Sequence, residues 1–174
     1  MTTASANIDE LPSLMTSTTP LMGFAALYQR HYEAVFRAAL RITGSPADAE
    51  DVLQAVFLRV LVRGGDVVDV TLPAAYLRRA AVNAAVDVLR RRELRAESAV
   101  DDRALHAVPP PVLLKEQLRR AIASLDRDDA GLFLLRHVEG LSIDELAGIF
   151  EIQKNNVAVR LHRIRQRLQT EMQR

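Results

Sequence analysis

SIDELAGIFEIQKNNVAVRLHRIRQR, the stretch from Ser142 to Arg167, reads as two short helices joined by a tight turn, the second loaded with arginine. Ser142 followed by Glu145 fits a capping box, in which the serine hydroxyl accepts a backbone N–H of the first turn and the glutamate reaches back to the cap. Ile143, Leu146, Ala147 and Phe150 then share one face at helical spacing. Glu151-Ile152-Gln153 is the expected turn, with Ile152 as its buried plug. Val157, Leu161, Ile164 and Leu168 keep one seam inward. Arg160, Arg163 and Arg167 repeat on a neighbouring face, flanked by His162 and Arg165. A helix-turn-helix carries its second helix into the DNA major groove. From Gln153 to Arg174 six Lys/Arg stand against one acid, Glu171. Alone, that helix reads equally as an amphipathic helix with a solvated basic face. The capped helix and short turn before it favour DNA binding.

The 174 residues suffice for one medium domain or two small ones. A 49% hydrophobic content, rich in alanine, leucine and valine and poor in aromatics, favours an all-α chain with a real core. The absence of cysteine removes disulfides and thiolate metal sites and suits a reducing cytoplasm. His31, His106, His137 and His162 form no pair at metal-ligand spacing, so neither metal nor cofactor is expected. With no nucleophile–base motif and no phosphate-cradling glycine loop, no catalytic residue is assigned and the chain does not read as an enzyme. A net charge of +1 argues against non-specific coating of nucleic acid. The charge is local instead. Basic residues gather in Arg78–Arg95 and in the last helix, acidic ones at Asp48, Glu50, Asp51 and around Asp101-Asp102. No apolar run approaches a membrane span, so no membrane insertion is expected. The Ser/Thr-rich residues 1–22 lack the marks of a secretion signal and read as a flexible tail.

Phe24, Leu27, Tyr28, His31, Val35, Ala38, Ala39 and Ile42 recur at three and four, which predicts a first helix ended by Thr43-Gly44. Ser45 is the expected cap of a second helix, with Pro46 at its first position. Asp48, Glu50 and Asp51 complement its dipole. That helix runs to about Val62 and buries Ala49, Val52, Leu53, Val56, Phe57 and Val60. After Arg63-Gly64-Gly65-Asp66, Pro73 starts a third long helix through Tyr76, Leu77, Ala80, Ala81, Ala84, Ala85, Val88 and Leu89 to Arg90-Arg91-Arg92. Residues 23–96 thus make one small bundle. Residues 97–111, ending in Pro109-Pro110-Pro111, read as a stiff linker. Val112–Ser124, Asp128–Val138 with Asp126 as cap, and the helix-turn-helix make a second bundle over 112–174.

LYQRHYEAVFRAALRITGSPADAEDVLQAVFLRVL (Leu27–Leu61), AAYLRRAAVNAAVDVLRRR (Ala74–Arg92) and the block from Leu125 to Leu168, with LLRHVEGLSIDELAGIFEI and VRLHRIRQRL, together resemble the extracytoplasmic-function (ECF) class of bacterial sigma factors. The resemblance implies a helical domain two joined by the linker to a helical domain four. It also implies a chain that binds core RNA polymerase and directs it to promoters. Domain two would read and help open the −10 element, and domain four would read the −35 element. The partners implied are the β′ clamp coiled coil and β flap of core polymerase, promoter DNA, and an anti-sigma factor.

Residue roles follow from that likeness. The first-turn acids Asp48, Glu50 and Asp51, with Gln54 one turn on, match the polymerase-docking helix, where charge complementarity sets encounter rate and register. Read without the family, they simply cap a helix. Arg78, Arg79, Asn83, Arg90 and Arg91 match the helix lying against the −10 region, since arginine holds phosphate and asparagine reads a base edge. Read without the family, Arg90–Arg92 form a solvated helix end. The loop at about Gly64 to Leu72 resembles the one that accepts a flipped −10 base, though it is poor in aromatics and the chain has no tryptophan. Lys154, Asn155, Asn156, Arg160, His162, Arg163 and Arg167 match the −35-reading helix. Three positions depart from the pattern: Glu151 replaces a common turn glycine, and Ala158 and Val159 replace a basic residue and a serine. Two other readings compete. One is a helix-turn-helix regulator that binds DNA without polymerase. The other is a sigma-mimic that sequesters an anti-sigma factor.

Overall fold

The computed structural model describes residues 18–62, 74–98 and 110–173, and among them every regular element is a helix. In chain order these are α1 (Thr18–Thr43), α2 (Pro46–Val62), α3 (Ala74–Ser98), α4 (Pro110–Ala123), α5 (Arg127–His137), α6 (Ile143–Phe150) and α7 (Lys154–Met172). α1 begins ahead of Phe24, where the apolar periodicity starts, so the tail expected over 1–22 gives way to helix at Thr18. The expected linker is trimmed at both ends. α3 runs on to Ser98, and Pro110 and Pro111 open α4, where a missing N–H leaves no bond unmade. The rest of the linker, the loop at Gly64 to Leu72, Pro73 and the tail before Thr18 lie outside the described residues.

α1, α2 and α3 form one helical group, and α4 to α7 form a second. The two share α3, which packs against α1 and α2 and also against α4, α5 and α6. From Ala81 to Leu89 only Asn83 and Asp87 keep partial exposure. A helix apolar all round belongs in a core, and the buried side chains of both groups form one continuous cluster. The periodicity identifies the face carrying Ala81, Ala84, Ala85, Val88 and Leu89. Val82 and Val86, both fully buried, lie outside that pattern.

The joints between helices follow local rules. Gly44 ends α1 in a left-handed conformation (φ 69°), with its N–H on Leu40 O at 2.8 Å. Thr43, fully buried, donates its hydroxyl to Ala39 O. Ser45 Oγ accepts from Asp48 N and caps α2. Asp126 caps α5 by accepting from Asp129 N at 2.9 Å. The capping box at α6 is complete: Ser142 Oγ accepts from Glu145 N, and Ser142 N donates to Glu145 Oε2 at 2.8 Å. Those bonds hold the Glu145 carboxyl below its ordinary value. The turn into α7 is made by Glu151 in the left-handed region (φ 55°, ψ 40°), a conformation that costs a side-chain-bearing residue more than glycine.

Three stability outcomes are expected in thermal melts. Gly44→Ala forces a Cβ into a left-handed turn and into the guanidinium of Arg119, at a cost of about 2 kcal/mol. Glu151→Gly relieves the opposite situation and stabilises by about 1 kcal/mol. Ser142→Ala costs about 1 kcal/mol at neutral pH. Because the folded Glu145 pKa is depressed, its contribution is present above the ordinary value of 4.5 and is lost as pH falls through the lowered folded value. The gap between Ser142→Ala and the parent chain therefore narrows in acid.

Candidate nucleic-acid interface

The helix-turn-helix has a buried side and a presented side. Val157, Leu161, Ile164 and Leu168 of α7 are buried, as is Leu146 of α6, with Ile143, Ala147, Phe150 and Ile152 packed half-buried against them. Outward from that seam, Lys154, Asn155, Asn156, Ala158, Val159, His162 and Arg163 are all exposed. Lys154 pairs with Asp144 at 2.9 Å, an exposed contact that competes weakly with any other anion.

Arg160 sits differently. Its Nε and a terminal nitrogen both donate to Asp129 Oδ1, at 2.9 and 2.6 Å, so its guanidinium turns inward onto α5. Burial and the hydrogen bond with Asp126 raise the Asp129 pKa against the pull of Arg160, while bonds from Asp129 and Asp128 lower that of Asp126 despite its own burial. The two carboxyls share one local network. Arg167 reaches Ser124 O at 3.3 Å from an exposed position.

The α3 set divides. Arg79, Asn83 and Arg90 share a face by their spacing of four and seven, and that face meets the second helical group. Arg79 donates to Ile149 O at 2.6 Å, lies 3.7 Å from Asp128 Oδ1 and stacks its guanidinium 4.5 Å from the centre of the Phe150 ring. Asn83 lies so near α5 that a Cβ on Gly131 would come within 3.1 Å of its Oδ1, which is why a glycine stands there. Arg90 donates to the carbonyls of Ala123 and Leu125. Arg78 is half-buried near Glu145 and His31, and the imidazole is held below its ordinary value by burial, then by Arg30 and Arg78. Arg91 is exposed beside α2. A cleft of about 580 Å³ lies where α2 ends and α3 begins, lined by Val56, Leu58, Tyr76, Arg79 and Asn83, with Arg127 entering from α5.

Of the α2 set, Glu50, Asp51 and Gln54 are exposed on one helix face, while Asp48 is ion-paired with Arg92. Several residues central to the arrangement have no signal in local periodicity. Arg119 reaches Ile42 O, Arg92 reaches Thr43 O, Arg127 pairs with Asp87, and Arg41 pairs with Glu139 at 2.7 Å. Each partner is distant in sequence. Among the described residues no cluster of three potential metal ligands occurs, and no helix is long and apolar enough to cross a membrane.

Comparison with known proteins agrees with this layout. Residues 27–95 match Sigma-70 region 2 and residues 115–168 match Sigma-70, region 4. The chain is 30% identical to the RNA polymerase sigma-E factor of Streptomyces coelicolor, covering 87% of each. It is 33% identical to the RNA polymerase sigma factor CarQ of Myxococcus xanthus, over 80% of this chain and 83% of that one. It is 31% identical to the ECF sigma factor SigL of Mycobacterium tuberculosis, over 79% and 81%. In fold it is similar to the sigma factor RpoE of Bartonella quintana, solved in complex with the anti-sigma factor NepR (TM-score 0.51, 18% identity, 86% of this chain and 96% of that one). The two matched regions, in this order and over this length, make the chain a member of the ECF class of RNA polymerase sigma factors.

Proposed function

We propose that the chain docks on core RNA polymerase through Asp48, Glu50, Asp51 and Gln54 of α2. It then directs the enzyme to promoters whose −35 element is read by α7 and whose −10 element is read by α3. It acts as an initiation factor with no catalytic step of its own, in the cytoplasm where polymerase works. The observation that carries this reading is the division of α7. Four apolar residues are buried, and Lys154, Asn155, Asn156, His162 and Arg163 stand exposed on the helix that follows the turn. Asn155 and Asn156 offer paired hydrogen bonds to an adenine edge, and Arg163 offers a guanine or phosphate contact. Val159, about half exposed, presents a methyl surface suited to thymine. Arg160, held by Asp129, serves as the brace that sets the roll of α7.

For α3 the reading assigns Arg78, Arg79, Arg90 and Arg91 to phosphate and Asn83 to a base edge. The cleft at the junction of α2 and α3 is the space for an unstacked base. An anti-sigma factor is a further partner we assign to the chain, by analogy with the complex of RpoE and NepR.

Two measurements test the reading. Purified chain added to core polymerase on a bacterial promoter library should yield selective transcription and a stable complex. The absence of both would refute it, and DNA binding as a symmetric dimer without polymerase would favour a conventional regulator instead. Arg163→Ala should weaken binding to a −35 duplex and lower the slope of log affinity against log salt by about 0.9, the loss of one phosphate contact. An unchanged slope would move Arg163 from phosphate to base.

A further inference from the structure

The α3 side chains assigned to the −10 element are the ones that hold the second helical group in place. Arg79 is bonded to the last turn of α6 at Ile149 O, faces Asp128 and stacks on Phe150. Arg90 is bonded to Ala123 O and Leu125 O at the end of α4. Asn83 is pressed against Gly131 of α5. Around them Arg127 pairs with Asp87, and Arg120 lies 3.5 Å from Glu93. The chemistry of these contacts is that of nucleic acid backbone. The final carbonyls of a helix carry its negative dipole end, and together with a carboxylate they offer arginine the acceptors that phosphate oxygens otherwise supply.

We propose that this arrangement is a self-inhibited state. In it α4–α6 occupy the −10-reading face of α3 as a protein substitute for the DNA backbone, and the two groups must part before α3 can bind DNA. This rests on the assignment of Arg79, Asn83 and Arg90 to the −10 element. The block is selective. Lys154, Asn155, Asn156, His162 and Arg163 stay exposed in the same structure, as do Glu50, Asp51 and Gln54. The self-inhibited chain is therefore competent to meet a −35 duplex and the polymerase while its −10 face is covered. Polymerase docking on α2 precedes the release of α3, and the partner that separates the groups is the polymerase itself.

The test leaves every assigned DNA-binding residue intact. Arg127→Glu with Asp128→Arg, a pair that conserves net charge, places an acid opposite Asp87 and a cation opposite Arg79. Small-angle scattering of the full chain should show the parent compact and the variant extended. Affinity for a fluorescent single-stranded DNA of randomised sequence should rise by about tenfold, the reciprocal of an open fraction of about a tenth. Binding to a randomised duplex, read by the exposed face of α7, should stay unchanged. A second variant works in the opposite sense. Arg41→Cys with Glu139→Cys, in a chain with no other cysteine, is joined by a thiol-cleavable bismaleimide across the 2.7 Å ion pair. The joined chain should bind core polymerase but not initiate, and cleavage of the linker should restore initiation. An extended parent chain, an opened variant with no gain in single-strand affinity, or a joined chain that initiates normally would each overturn the proposal. Failure of the opened, unjoined variant to initiate with core polymerase, while the scattering contrast persists and single-strand affinity rises, would fault the promoter-reading assignment instead.

Discussion

Arginine bonded to the carbonyl end of a helix is the interaction on which the packing of this protein depends. α1 ends at Ile42 and Thr43, whose carbonyls are taken by Arg119 from α4 and Arg92 from α3. α4 ends at Ala123, held by Arg90, and α6 ends near Ile149, held by Arg79. The last carbonyls of a helix have no intrahelical donor and concentrate its negative partial charge. Guanidinium supplies several donors in one plane and stays charged when partly buried. A hydrogen bond to a charged group contributes about 1.5–3 kcal/mol where a neutral one contributes about 1. In each case the bond ties one helix end to another helix, so the cap of a single element and the joint between elements are the same contact.

Much of this was legible in the sequence. The capping box at Ser142 and Glu145, the cap at Asp126, Pro46 opening α2 and the four-residue seam of α7 are encoded within one or two turns, where spacing and side-chain chemistry suffice. The exposed −35 set follows from that seam, Arg160 excepted, because Asp129 belongs to another helix. Other features were not legible, for a physical reason. Val82 and Val86 read as surplus to an amphipathic stripe because the pattern registers one buried face, and the second group supplies another. Pro110 and Pro111 read as linker because proline both ends and begins helices, and only packing distinguishes the two. Arg79, Arg90, Arg92 and Arg119 find partners between 33 and 77 positions away, a separation at which periodicity carries no information.

The electrostatics of the two groups explain why a chain of almost zero net charge suits a DNA-binding role. Cations on α3 are matched by carbonyl ends and carboxylates of α4–α6, and the acids of α2 stay exposed apart from Asp48. Nothing in this balance needs a large positive field, which would promote indiscriminate association with nucleic acid. The basic surface offered to solvent is confined to the outer side of α7 and the exposed end of α3.

The seam of Val157, Leu161, Ile164 and Leu168 has a consequence for how such proteins diversify. It fixes the roll of α7 about its own axis, and each residue along a helix turns the reading face by about 100°. None of Lys154, Asn155, Asn156, Ala158, Val159, His162 and Arg163 belongs to that seam. Exposed side chains exchange at a stability change within about 0.5 kcal/mol. The letters of the recognition helix can therefore be rewritten while its frame stays fixed, and sequence preference is free to drift without the fold drifting with it. Ala158 and Val159 are an instance: they change what the groove meets and leave undisturbed the face that holds the helix in place.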